Sequence, residues 1–131
     1  MQKDYFYPNK EEKKASNINP DQAGYQLFYI LKNAQNMTGK SEITRKEAVQ
    51  LYEIETQCEN VRNSLLNGIE GVGYALSVAS STDEMQQMIL PRDELRNIGS
   101  LVTTLAQMVT AITDLQMDAR YNLTCKQIKP A

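Results

Sequence analysis

The chain has no histidine and no tryptophan, and only two cysteines and two phenylalanines among its 131 residues. Without histidine it lacks the commonest general base. Two cysteines neither make a disulfide framework nor complete a zinc site of the usual four-ligand kind. A di-metal carboxylate bundle needs Glu-x-x-His pairs, which this composition cannot supply. Long apolar runs are missing too. None approaches the roughly 20 residues that cross a bilayer, and the polar stretch Met1–Asn19 lacks the apolar core of a secretory signal. These absences predict a cytoplasmic protein with no membrane partner, in which the sequons at Asn36 and Asn122 carry no meaning.

A basic surplus is also absent. Fourteen Lys and Arg face sixteen Asp and Glu, for a net charge of −2 and a pI near 5.2. That is far from the footprint of a nucleic-acid-binding domain. The charge is unevenly spread. Residues 1–40 carry six basic and four acidic groups, residues 41–118 five and twelve, and residues 119–131 three and none. The ends are basic and the body is acidic.

What is present is helical periodicity. From Thr44 onward, small or apolar residues recur in steps of three and four: Leu51, Ile54, Cys58, Val61, Leu65, Gly68, Val72, Ala75, Ala79. This heptad spacing keeps one seam toward a partner helix, and Leu66, Ile69 and Leu76 widen it. Thr44 with Glu47 forms a capping box, and Ile43 with Ala48 is placed for a hydrophobic staple. A second run, Leu95, Ile98, Leu101, Leu105, Met108, Ile112, Leu115 and Ala119, follows Pro91, Asp93 and Glu94, which suit a helix N-terminus. A shorter helix is predicted to start at Asn19 with Pro20 in its first turn and Gln22 completing a capping box. Its apolar face is Ala23, Leu27, Ile30, Leu31 and Ala34, and Gly39 stops it.

The predicted fold is therefore all-α, with helices near 20–38, 44–80 and 91–121 and a short helical turn near 82–88. Its centre is a long antiparallel hairpin with a shorter N-terminal helix packed on it. Two long helices alone leave apolar surface wet, so the bundle is expected to be completed by dimerisation. The expected organisation is a flexible arm over 1–18, a helical bundle over 19–123, and a fraying basic tail over 124–131.

Chemical motifs are sparse. Glu53, Glu55 and Glu59 form an acidic group on the second helix, expected to be a solvated face. Thr103, Thr104, Thr110 and Thr113 lie in no nucleophile motif. Gly68, Gly71 and Gly73 sit inside the second helix, at about 0.5–1 kcal/mol each relative to alanine. The expected reason is close approach of neighbouring helices or a mild bend, and the alternative is a ligand or partner backbone approaching there, or a hinge. Their spacing is not a dinucleotide fingerprint.

No catalytic, cofactor-binding or metal-ligating residue is expected, and the chain reads as a non-enzymatic protein–protein interaction module. An adaptor, or a regulator or inhibitor of a larger complex, fits this reading, with a second copy of the chain as the first partner. The expected interface is Leu101, Leu105, Met108, Ile112 and Leu115, with Val61, Leu65 and Val72 opposite. Two further patches are candidate partner sites. One is the aromatic triplet Tyr5, Phe6 and Tyr7, which folds back on the bundle, swaps to a sister chain or binds a partner. The other is Met85, Met88 and Ile89 in the connection between the long helices, as Met-rich patches adapt to varied partners. The alternatives are a nucleic-acid-associated regulator acting through its basic termini and a structural subunit of a helical assembly.

Overall fold

In the computed structural model the described residues are 5–16, 18–33, 40–81 and 92–130. Helix makes up 83% of them. The elements are α1 (Lys10–Ala15), a 3₁₀ turn (Pro20–Gln22), α2 (Ala23–Asn33), β1 (Glu42–Ile43), α3 (Arg45–Ser81), α4 (Arg92–Cys125) and β2 (Gln127–Ile128). The two long helices α3 and α4 pack against each other as a helical hairpin. The helical turn expected near 82–88, with Met85, Met88 and Ile89, lies outside the described residues, as does Pro91.

The chain divides into two compact units, one made of residues 1–61 with 112–131 and the other of residues 62–111. The first holds the core. Phe6, Leu27, Ile43, Ala48, Leu51, Ile54, Cys58, Ala119 and Leu123 are all buried there. They come from the N-terminal segment, α2, β1, the first half of α3 and the last turns of α4, so distant parts of the sequence close one apolar centre.

Local signals explain where α3 begins. The Thr44 hydroxyl accepts from the Glu47 backbone N–H at 3.2 Å, and the Glu47 carboxylate accepts from the Thr44 N–H at 2.9 Å. Both orphan donors are thus satisfied as the capping box requires. Ile43 and Ala48 flank the cap and are fully buried. In α4, Asp93 and Glu94 occupy the first turn, where the helix dipole favours negative charge.

Four features depart from the sequence reading. The start of the third-longest helix is a 3₁₀ turn, and the side chain that reaches back to the Asn19 N–H is Gln26, at 2.8 Å, rather than Gln22. The tighter first turn leaves Gln22 exposed. Secondly, α1 (Lys10–Ala15) is a helix that no apolar periodicity announced. It is held by an Asn9–Glu12 capping box and by Arg45, whose guanidinium bonds the Glu12 carboxylate at 3.0 Å. Thirdly, α4 runs on to Cys125, because Leu123 falls one turn after Ala119 and both are buried. Finally, the basic tail, expected to fray, pairs with β1. Ile43 registers with Ile128 in a parallel ladder, and the Lys129 N–H donates to the Ile43 carbonyl at 2.8 Å. A β-branched residue in each strand suits this pairing, and Ile128 packs on the core.

Candidate functional site

Residues 62–111 present the clearest unsatisfied surface. Here α3 and α4 contribute one seam each. Leu65, Ile69, Val72 and Ala79 are half-buried on α3, and Ile98, Val102, Leu105 and Val109 on α4. No described residue of this unit is buried. Leu66, Leu76, Val78, Leu95, Leu101 and Met108 remain exposed, Leu101 at 52%. Two helices cover only one stripe of each other, whereas these carry apolar residues over a wider arc.

The expected interface residues distribute unevenly. Leu65, Val72 and Leu105 are half-buried in this second unit, and Leu101 and Met108 are exposed there. Val61, Ile112 and Leu115 belong to the first unit, where they pack against its buried core.

Charge is nearly absent from the same stretch. Residues 97–113 carry no Asp, Glu, Lys or Arg, and residues 63–81 carry only Glu70. The hydroxyls of Thr103, Thr104 and Thr110 donate to the carbonyls of Gly99, Ser100 and Ala106, at 3.0, 2.9 and 3.3 Å. Their polarity is spent within α4. An 18-residue window of α4 has a mean hydropathy of 1.3 and no buried portion. By length and composition it passes for a membrane span, a property that counting unbroken apolar runs overlooks because Ser, Thr and Gln punctuate the stretch.

The glycines give this surface a further property. A methyl group added at Gly68, Gly71, Gly73 or Gly99 would meet nothing within 4 Å. Close approach inside the chain, the expected reason for glycine here, is therefore not what these positions provide.

The aromatic triplet at the N-terminus lies in the first unit. Phe6 is 8% exposed, with the Arg45 guanidinium 5.1 Å from its ring centroid. The Tyr5 hydroxyl donates to the Glu55 carboxylate, and the Arg120 guanidinium lies 5.8 Å from the Tyr5 ring. Tyr7 is 65% exposed and meets Tyr5 edge-on at 5.2 Å. Residues 5–16 are thus docked on the helices, and of the triplet Tyr7 is the one that faces solvent.

The acidic group is not a uniformly solvated face. Glu59 is exposed, but Glu55 is buried and pairs with Arg120 at 3.1 Å. Burial raises the Glu55 carboxyl above its ordinary value, and Arg120 offsets part of that. Glu53 is half-buried, and burial raises its carboxyl too. Burial, followed by the Glu55 charge, pushes the Cys58 thiol up to about 11, which suits a small buried hydrophobe rather than a nucleophile.

One buried polar residue carried no sequence signal. Gln57 is fully buried. Its amide donates to the Gln26 side chain and to the Asn19 carbonyl, and its oxygen accepts from Asn60 at 2.9 Å. Its two longest-range partners lie 31 and 38 residues away, so no local pattern could have marked it. Among the described residues, no group of three or more His, Cys, Asp or Glu is placed to hold a metal ion. The chain matches no protein-family model, no curated protein and no solved structure.

Proposed function

We propose that this chain is a non-enzymatic protein–protein interaction module whose first partner is a second copy of itself. The carrying observation is that residues 62–111 form two apolar helices without one buried residue among those described. Exposed leucine, valine and methionine on both helices favour covering by another apolar surface. The near-absence of charge removes the desolvation cost that would oppose it. Two such segments pairing antiparallel make a four-helix arrangement in which every seam has a partner. The docked N-terminal segment and the basic ends then remain for a further partner, as in an adaptor or regulator.

Light scattering across a concentration series tests this reading. The expected result is a dimer that Leu105→Asp converts to a monomer whose circular dichroism stays helical. A wild-type monomer at every concentration would sink the proposal, as would an unchanged dimer in a folded Leu105→Asp variant.

A second reading rests on the unburied apolar window of α4, which suits contact with lipid hydrocarbon. Flotation with vesicles separates the two. Protein that floats as a monomer favours lipid, and protein that stays at the bottom as a dimer favours self-association.

A further inference from the structure

A cavity of about 420 Å³ opens in the first unit between the end of α1, α2 and the N-terminal part of α3. Tyr25 and Tyr29, one helical turn apart, line it, together with Ser16, Gln26, Ile30 and Glu53. Gln26 is already engaged by Asn19 and Gln57. Glu53, by contrast, has no counter-charge: among the described residues no ion pair reaches it. Lys13 lines a neighbouring depression that shares Glu53, yet forms no ion pair with it. The Ser16 hydroxyl is buried without a well-formed hydrogen bond, although it lies close enough to temper the effect of burial on Glu53.

A half-buried carboxylate without a counter-charge beside two tyrosine rings is a chemical description of a cation site. The ring faces attract a cation electrostatically, and the carboxylate gains the counter-charge it lacks. The surface beside the cavity says what carries the cation. Tyr25, Phe28 and Tyr29 stand 78%, 80% and 64% exposed on one face of α2. A free ammonium ion would occupy only a small part of the cavity and leave Phe28 in water, whereas a polypeptide segment would cover the whole aromatic face.

We propose that the cavity and the aromatic face of α2 bind a segment of a partner protein, whose lysine or arginine side chain enters beside Tyr25 and Tyr29 to meet Glu53. The site lies in the first unit and does not depend on self-association through residues 62–111.

The test titrates the full-length chain with Nα-acetyl-lysine methylamide, with its norleucine analogue, and with a short peptide bearing lysine between apolar residues. Tyrosine ring resonances report binding. Saturable shifts of the Tyr25 and Tyr29 signals are expected with the lysine probe and none with norleucine. The peptide is expected to bind about tenfold tighter than the single residue. Glu53→Gln should weaken the lysine probe about tenfold, and Tyr29→Leu serves the same purpose if Glu53→Gln disturbs folding. Equal response to norleucine, or unchanged affinity in a folded variant, overturns the cation site. A peptide that binds no tighter than the single lysine overturns the partner segment.

Discussion

Replacing Phe6 with alanine measures how firmly the N-terminal segment belongs to the fold. Phe6 is 8% exposed and lies in the same apolar cluster as Leu27, Leu51 and Ile54. Buried Phe→Ala substitutions cost about 3–5 kcal/mol through lost transfer energy and the cavity left behind. Phe6 keeps a small solvent-exposed fraction, so less than a complete burial is lost, which places the expected loss near the lower end, about 3 kcal/mol. Loss of the Arg45 contact at 5.1 Å adds about 0.5 kcal/mol at a partly exposed site. For a domain of this size such a loss corresponds to a fall in Tm of about 10–15 °C. Urea unfolding followed by circular dichroism provides the free energy. Tyr7→Ala is the control, since that ring is 65% exposed, and about 1 kcal/mol or less is expected from its edge contacts. A loss below about 1 kcal/mol for Phe6→Ala would refute the reasoning, because a core aromatic cannot be removed so cheaply.

Three further outcomes follow from the geometry. Burial raises the Glu55 carboxyl above its ordinary value. Its contribution to stability is therefore full below the unfolded value and is lost as pH rises through the folded one. Glu55→Gln should flatten that loss in unfolding curves taken across the acid range, and an unchanged pH profile would count against the burial of this group. Cys125 is exposed and Cys58 buried with its thiol pushed up to about 11. Iodoacetamide at neutral pH should thus label Cys125 alone until the chain is unfolded, as mass spectrometry of digested protein would show. Gly68, Gly71 and Gly73 have open space where a methyl would go, so the triple alanine variant should gain about 1.5–3 kcal/mol in the monomer from helix propensity. If a second copy approaches those positions closely, the same variant weakens the dimer in light scattering. Stability gained with no change in association would place the contact elsewhere on residues 62–111.

Local chemistry written in adjacent residues was legible from the sequence. The Thr44–Glu47 box reads directly, because a cap involves only the first turn of its own helix. The periodicity of α3 and α4 reads equally well, since a seam repeats every three or four positions whatever lies opposite. Less could be read where two distant segments meet. Nothing near Glu55 announces Arg120, 65 positions later, nor does the sequence near Ile43 announce the strand at Ile128. Glu53, Glu55 and Glu59 are similar in sequence, yet their exposures differ because Tyr5 and Arg120 close over one of them. The cavity beside Glu53 was invisible for the same reason. Tyr25 and Tyr29 share a helix face by their spacing, but only packing brings that face beside a carboxylate on α3.

By itself, then, the sequence determined that the chain is helical, where α3 starts, which stripe of each long helix is apolar, and that the middle of α4 is free of charge. Those properties follow from backbone hydrogen bonding and from the three-to-four-residue period, both of which act over a few residues. Tertiary structure alone decided that the apolar stripes are buried in residues 1–61 with 112–131 and left half-covered in residues 62–111. The physical reason is the number of neighbours. In the first unit α2, the N-terminal segment and the β1–β2 pair supply extra surfaces to bury against, whereas among the described residues of the second each helix has only the other.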